Sequence, residues 1–225
     1  LWVNNEYPNP LFISGYTGGE KTKKQTDAEL YSLGGSLVEI EKVNGDWKMN
    51  LSEKNFRLTG HSMIPFNWPD PIKGSKKAMG TFQNCSGGVT PWGTILTCEE
   101  NYDGCYGEAI RGSDKIDVSE GTYGWNKFYD NRPEHYGWVV EVDPHTGEAQ
   151  KHVALGRFAH ECATVIELED KRLVVYSGDD KNDEHLYKFI SSEPGSLLKG
   201  TLYVANLEKG EWISMNLKEQ PLLQK

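Results

Sequence analysis

Several features are scarce or missing in this chain of 225 residues, and each absence excludes a class of protein. No run of apolar residues approaches the roughly 18 that a membrane helix needs, so we expect no membrane span. Positive charge is in deficit, with 24 Lys and Arg against 33 Asp and Glu and a formal net charge of -9. A general nucleic-acid binder needs a basic face for phosphates, so the charge excludes that class and favours the binding of cations.

Familiar catalytic and metal-binding signatures are missing as well. The four cysteines (Cys85, Cys98, Cys105 and Cys162) form no CxxC pair and no zinc-finger spacing. The chain has no serine nucleophile elbow, no glycine-rich phosphate loop and no His-Glu-x-x-His. No signal peptide is visible, and both ends resemble cut ends, so we expect a partial chain.

What is present predicts strands and turns. Three segments read as a strand, a glycine-containing turn and a second strand: residues 36–49, 137–155 and 201–213. Further apolar runs predict strands at 92–97, 163–168, 172–176 and 185–190. The best helix candidate covers residues 25–31, with Thr26 or Asp27 as its cap.

This pattern predicts an all-β fold. Many short strands are compatible with a sandwich, a barrel or a propeller, and the repeated hairpins favour the blades of a β-propeller. We expect residues 1–225 to form one incomplete propeller domain with long inserts near 60–80 and 101–134. Inserts of this length are either functional or solvated surface loops.

Acidic clusters follow three of the predicted strands. The first is Thr97-Cys-Glu-Glu-Asn101, in which a thiol precedes two carboxylates. A metal ion would hold Cys98 as a thiolate and relieve the repulsion between the carboxylates. The alternative is a buried cysteine followed by a solvated acidic turn.

The second cluster is Arg157-Phe-Ala-His-Glu161, which lies between a predicted hairpin and a strand. A buried Glu161 requires a partner or a metal, and Arg157 could bind a phosphate or neutralise the carboxylate. The alternative is an Arg–Glu ion pair.

The third cluster, residues 179–184, contains four acids, among them Asp179 and Asp180. Such oxygen-rich loops suit calcium, although the spacing is not that of an EF-hand and a solvated turn is the alternative. Glu6 is a weaker candidate near a strand end. Asn84-Cys-Ser86 fits the glycosylation pattern, which is common by chance. If the loops of different blades converge, these acids form one polynuclear metal site, which predicts a metal-binding β protein and a hydrolase.

Longer motifs resemble those of the PhoX-type alkaline phosphatases. The motifs are Pro91-Trp-Gly-Thr-Ile-Leu-Thr-Cys-Glu-Glu-Asn101, His135-Tyr-Gly-Trp-Val-Val-Glu-Val-Asp-Pro144, Leu155-Gly-Arg-Phe-Ala-His-Glu161, Tyr176-Ser-Gly-Asp-Asp180 and Val3-Asn-Asn-Glu-Tyr7. They follow the family's order between residue 3 and about residue 191. The resemblance implies a β-propeller and a periplasmic or secreted enzyme that removes phosphate from phosphomonoesters.

The resemblance also implies a cofactor of ferric iron (Fe3+) and calcium (Ca2+). It makes Cys98 the thiolate ligand of an iron and Glu161 a second carboxylate ligand. Glu6, Glu99, Asp179 and Asp180 become candidates for calcium or cluster contacts, and Arg157 a phosphate-facing catalytic group. The family's chain is much longer, so this piece alone could be inactive.

Two other hypotheses remain open. One is a non-enzymatic propeller that uses calcium structurally and binds a partner or a glycan, and the other is a phosphodiesterase or lactonase on the same scaffold. For the phosphatase we expect a phosphomonoester substrate, no nucleic-acid partner and a monomer.

Overall fold

The computed structural model describes residues 1–119 and 121–220, in which β-strands are the main element. Three larger sheets contain most of them. The first sheet has the order β1-β2-β5, the second β13-β12-β9-β8 and the third β14-β15-β16-β17-β18. The strands of these sheets are β1 (Trp2–Asn5), β2 (Gly34–Leu37), β5 (Phe56–Leu58), β8 (Asn84–Val89), β9 (Ile95–Glu99), β12 (Val139–Val142), β13 (Ala149–His152), β14 (Thr164–Glu167), β15 (Leu173–Gly178), β16 (Leu186–Ser191), β17 (Gly200–Asn206) and β18 (Glu211–Ser214).

The connections carry smaller elements. Two-stranded ribbons form from β3 (Glu39–Val43) with β4 (Asp46–Asn50), β6 (Met63–Pro65) with β7 (Lys77–Met79), and β10 (Glu108–Ala109) with β11 (Ile116–Asp117). The helices are α1 (Pro10–Ser14), α2 (Lys23–Ser32) and α3 (Asp103–Tyr106), and 3₁₀ turns cover Trp125–Lys127, Pro133–His135 and Val153–Leu155. Among the described helices, none combines the length and the apolar character that crossing a membrane requires.

The three sheets lie side by side as successive blades. Strand β8 contacts β1 of the first sheet and β14 of the third. A Cβ atom on Gly88 in β8 would lie 2.0 Å from the carbonyl oxygen of Ala163, so only glycine allows the second and third sheets to approach this closely. The described residues therefore form an all-β, partial propeller whose sheets do not close into a ring, which confirms the predicted fold class. The single-domain boundary of 1–225 stays a prediction, and residues 120 and 221–225 lie outside the described part.

The predicted hairpins are confirmed, because alternation and turn glycines are local signals. In the second hairpin, Val139 pairs with His152 and Val142 with Ala149. In the third, Tyr203 pairs with Ser214. The first hairpin begins later than predicted, at Glu39, because residues 36 and 37 belong to β2 instead.

The cap predicted for the helix is wrong. Helix α2 begins at Lys23 and is capped by Thr22, whose hydroxyl accepts from the backbone N–H of Gln25 while the Gln25 side chain accepts from the backbone N–H of Thr22. This reciprocal capping box satisfies two backbone donors at once, so it is favoured over a cap at Thr26 or Asp27.

The two predicted inserts combine exposed stretches with buried residues. Phe66 and Ala78 of the first insert and Tyr106 and Trp125 of the second join Phe82 and Tyr136 in one buried, largely aromatic core. The rings of Tyr106 and Tyr136 are stacked with centroids 5.4 Å apart. This cluster fixes the segments that lead into β8 and β12, which frame the acidic end of the sheets.

Candidate metal centre

Three strands end in carboxylates at one rim of the blades. Glu6 follows β1, Glu100 follows β9, and Asp179 and Asp180 follow β15. Glu100 of the second blade and Asp180 of the third lie close enough for Asp180 to raise the pKa of the Glu100 carboxyl. Glu6 and Glu100, which lie far apart in the sequence, come together at this rim. The metal-ligand roles predicted for Glu6, Asp179 and Asp180 stay predictions.

A thiol completes the closest group. One ligand atom each from Glu6, Cys85 and Glu100 lies within 4.8 Å of the other two. Thiolate with carboxylate suits iron, and carboxylate oxygens suit calcium. The donor set thus fits the cofactor that the sequence motifs imply, with Cys85 in the place of the thiol.

Asn4 holds the thiol in position. Its Nδ2 donates to the carbonyl oxygen of Cys85 at 2.9 Å. Its Oδ1 accepts from Thr97 Oγ1 and from Trp2 Nε1, both at 2.7 Å. The Asn4 amide therefore joins three strands: its own strand β1, the start of β8 and β9. Glu6 follows β1 and Glu100 follows β9, so this contact fixes the strand ends that precede both carboxylates.

The charge state of the group reflects crowding by like charges. Burial, the hydrogen bond with Asp180 and the nearby charge of Glu6 raise the pKa of Glu100 to about 7, against a lowering by its hydrogen bond with Cys85. Burial, the hydrogen bond with Glu100 and the charges of Glu100, Glu6 and Glu161 raise the pKa of Cys85 to about 12. Below these pKa values the Glu100 carboxyl and the Cys85 thiol hold protons, which cation binding would displace.

The third blade adds further oxygen donors. Atom Oδ1 of Asp179 is buried and has no hydrogen-bond partner among the described residues. Burial and the charge of Glu184 raise the pKa of Asp179. A buried carboxylate oxygen without a donor is costly, and a cation would satisfy it.

Glu161 lies next to this rim. Its carbonyl oxygen accepts from the backbone N–H of Ser86 at 3.1 Å, and its charge contributes to the raised pKa of Cys85. Glu161 itself is exposed. Its ligand role stays a prediction that this position supports.

Cys98 lies beside this group but not within it. Its side chain is buried in the apolar cluster between the second and third blades, with Val139, Leu173 and Phe189. Burial, followed by the neighbouring thiols of Cys162 and Cys85, raises its pKa well above the usual value. The thiol that meets the carboxylates within the described residues is that of Cys85. The ligand role of Cys98 stays a prediction, and its surroundings favour the alternative of a buried structural side chain.

Glu99 and Arg157 already have partners within the chain. Glu99 forms a buried ion pair with Lys151 at 2.6 Å. Arg157 donates to the carbonyl oxygens of Tyr136 at 2.8 Å and Pro133 at 2.9 Å, and it pairs with Glu108 at 3.0 Å. This favours the ion-pair alternative for Arg157, although its partner is Glu108 and not Glu161. The predicted cluster contact of Glu99 and phosphate contact of Arg157 stay predictions.

Sequence reasoning missed Cys85 and Asn4 and did not single out Glu100 as a ligand. Cys85 stands in a segment that matched only a glycosylation pattern, and its partners Glu6 and Glu100 lie 79 and 15 positions away. The usable signal was the repetition of an acid directly after a strand, which Glu6 and Glu100 share.

Comparisons with known proteins bear on this site. The model of the family "Alkaline phosphatase PhoX" matches residues 1–223. The structure of Pseudomonas fluorescens PhoX in complex with vanadate, a transition state analogue, is similar at a TM-score of 0.80 and 32% sequence identity. That match covers 96% of this chain, which spans 46% of the Pseudomonas chain. No curated protein matches the chain significantly.

Proposed function

Because the chain belongs to the PhoX alkaline phosphatase family, we propose that it serves the metal-dependent hydrolysis of phosphomonoesters, with a cation centre at Glu6, Cys85 and Glu100. The observation that carries the proposal is the meeting of one thiol and two carboxylates from three separate segments within 4.8 Å. Structural ion pairs bring opposite charges together, whereas this group brings acids together and leaves them short of a counter-charge.

The finer assignment is a centre that contains ferric iron and calcium. The thiol of Cys85 with carboxylates suits iron, and the oxygen-only donors Asp179, Asp180 and Glu161 suit calcium. When bound, such ions neutralise phosphoryl oxygens and lower the pKa of bound water. Cys98 is the competing thiolate, and the variants described in the Discussion decide between the two cysteines.

The residues of this chain hold and orient the donors. Asn4 fixes the backbone that carries Cys85, and Glu100 and Asp180 bring carboxyl groups of two blades close to each other. Within the proposal the substrate is a phosphomonoester, and the vanadate complex of the Pseudomonas relative supports phosphoryl chemistry. Export to the periplasm or medium is part of the same proposal.

The test combines metal analysis with turnover. The purified full-length protein that contains this chain should bind iron and calcium and should hydrolyse p-nitrophenyl phosphate. A strong chelator should abolish turnover, and adding back both ions should restore it. Turnover that resists chelation would overturn the metal mechanism, and a chain that binds neither ion would overturn the site.

One outcome favours the alternative function. If calcium raises the unfolding temperature while neither phosphomonoesters nor phosphodiesters nor lactones are hydrolysed, the chain acts as a cation-stabilised binding module. Hydrolysis of diesters or lactones alone would instead assign it to the third hypothesis.

A further inference from the structure

A buried ion pair lies directly beside the candidate centre. The ammonium of Lys151 lies 2.6 Å from Oε1 of Glu99, and both side chains are completely excluded from solvent. Glu99 is the last residue of β9 and immediately precedes Glu100.

The Glu99 carboxylate gathers donors from three segments. Its Oε1 accepts from Lys151 and from the backbone N–H of Phe82 at 3.4 Å. Its Oε2 accepts from the backbone N–H of Trp138 at 3.1 Å. Lys151 in turn donates to the carbonyl oxygen of His135 at 3.0 Å and lies over the Tyr136 ring. The pair thus joins the chain just before Cys85 to the chain just before β12.

The backbone around Glu99 extends the same set of ties. The carbonyl oxygen of Glu99 accepts from the N–H of His160 at 3.0 Å, and the N–H of Glu100 donates to the carbonyl oxygen of Gln83 at 3.1 Å. Each tie lies within two positions of Cys85, Glu100 or Glu161. The backbone at the rim is therefore held by hydrogen bonds from two consecutive residues, Glu99 and Glu100.

A contribution to the free energy of folding does not by itself explain why the chain has this buried pair. Removing two charges from water costs several kcal/mol per ion, and well-packed apolar residues in such places are often as stable or more so. Unlike apolar side chains, the Glu99 carboxylate requires each hydrogen-bond donor at a defined position. The pair therefore orients the segments that supply these donors.

We propose that Glu99 and Lys151 are positioning residues that hold the backbone of β9 and of the segment before β8 so that Glu100 and Cys85 meet in one cation site. This inference rests on the proposed function. Neither residue touches the cation, and the pair acts through the strand ends that it joins.

The molecule contains a matched control. Lys21 and Glu29 form a second buried ion pair at 2.7 Å. Glu29 also accepts from Trp125 Nε1 at 2.7 Å, and Lys21 donates to the carbonyl oxygen of Tyr123. This pair resembles Glu99–Lys151 in burial and in bonding, but it joins α2 to the segment at 123–125 and not to the rim.

The test compares two neutralised pairs, Glu99→Gln with Lys151→Met and Glu29→Gln with Lys21→Met. Each protein is stripped of metal and titrated with Co2+, and the thiolate-to-cobalt absorption band is recorded together with the thermal unfolding curve. The Glu99 variant should bind Co2+ about 10- to 100-fold more weakly, as the loss of supporting partners of metal ligands usually does. The Glu29 variant should lose comparable stability but bind Co2+ within about twofold of the wild type, since distant sites act independently.

Cobalt binding by the Glu99 variant equal to that of the wild type would overturn the inference and leave the proposed function intact. A wild-type protein without the thiolate–cobalt band would overturn the proposed centre and this inference with it. If the double variant does not fold, Glu99→Met with Lys151→Met replaces both charges by apolar side chains and leaves no unpaired buried charge. It should still weaken cobalt binding, and an unchanged affinity there counts equally against the inference.

Discussion

Two groups of carboxylates in this chain differ in their partners: one lies in the interior of the fold and the other at the rim of the strand ends. In the interior, Glu99 meets Lys151, Glu29 meets Lys21, and Glu141 meets His152 at 2.7 Å. At the rim, Glu6 and Glu100 meet each other and a thiol. These interior carboxylates therefore have partners within the chain, whereas no ion pair among the described residues neutralises Glu6 or Glu100, as the proposed cation centre requires.

The pKa values of Glu141 and Glu100 show the contrast most directly. Burial alone would raise the pKa of Glu141, but hydrogen bonds from His152 and Thr94 outweigh it and lower the pKa to about 2. Burial and acidic neighbours raise that of Glu100 to about 7. Both carboxylates are buried, and burial acts to raise the pKa of each; the hydrogen-bond donors to Glu141 outweigh it, whereas the acidic neighbours of Glu100 add to it.

The largest effect should follow from Glu100→Gln. Since loss of an outer partner already costs about 10- to 100-fold in metal affinity, loss of this direct donor should weaken Co2+ binding by more than roughly 100-fold. Metal-free Glu100→Gln should also unfold at a higher temperature than the wild type near about pH 8, because glutamine removes a repelled charge.

Cobalt titration and thermal unfolding of both proteins check this pair of outcomes. A metal-free Glu100→Gln protein that is less stable than the wild type at high pH would show that the rim carboxylates are not in conflict, which removes the contrast between rim and interior.

Glu141→Gln should lower the stability of the protein and leave cobalt binding unchanged, which is the opposite of the result expected for Glu100→Gln. The carboxylate accepts from Trp92 Nε1 at 2.7 Å, from Gln150 Nε2 at 2.9 Å and from His152. A glutamine cannot accept from all of these donors, so the unfolding free energy should fall by about 1–3 kcal/mol while Co2+ binding stays unchanged.

The pH dependence of stability provides a second readout with opposite signs. The folded-state pKa of Glu141 is depressed, so its contribution is present above its ordinary value of 4.5 and is lost as the pH falls towards about 2. The folded-state pKa of Glu100 is raised, so stability of the metal-free protein declines as the pH rises from 4.5 through about 7. Denaturant unfolding across this range should show the acid-side loss disappear in Glu141→Gln and the alkaline-side loss disappear in Glu100→Gln. Curves that are parallel to the wild type in both variants would contradict the assignment.

The two cysteines extend the contrast to sulfur. Cys98 has no exposed surface and packs among apolar side chains, so Cys98→Ala should cost about 1 kcal/mol of unfolding free energy, as for the loss of one buried methyl group. Cys85→Ala should leave stability almost unchanged but abolish the thiolate–cobalt band. If Cys98→Ala removes the band and Cys85→Ala retains it, the thiolate role belongs to Cys98 as the sequence motifs imply.

Sequence reasoning succeeded where the signal is local. The hairpin of β12 and β13 follows from the alternation and turn within residues 137–155, and the acids after β1, β9 and β15 are visible as strand-end clusters. Register within one hairpin requires only neighbouring residues, so a single sequence contains it.

What the sequence could not provide is the choice of partner across the fold. Arg157 was expected to face Glu161 or a phosphate, but the packing of residues 101–138 brings it Glu108 and two carbonyl oxygens. Glu99 and Glu100 are adjacent and chemically identical, yet one faces Lys151, 52 positions away, and the other faces the rim. The two glutamates have different partners because different distant segments pack against them in the folded protein. No rule of sequence spacing predicts which segment packs against which residue.

The smallest effect should follow from Tyr7→Phe, which tests how far the rim extends. The Tyr7 hydroxyl accepts from Asn101 Nδ2 at 2.8 Å, and burial together with the charges of Glu6 and Glu100 raises its pKa despite that bond. The side chain is 58% exposed, so losing the hydroxyl should change the unfolding free energy by less than about 0.5 kcal/mol. Tyr7 is not among the three donors that meet, so Co2+ affinity should also change by less than about threefold. If cobalt titration shows a loss of affinity greater than threefold while the unfolding free energy is unchanged, the Tyr7 hydroxyl is itself a cation ligand and the site includes Tyr7.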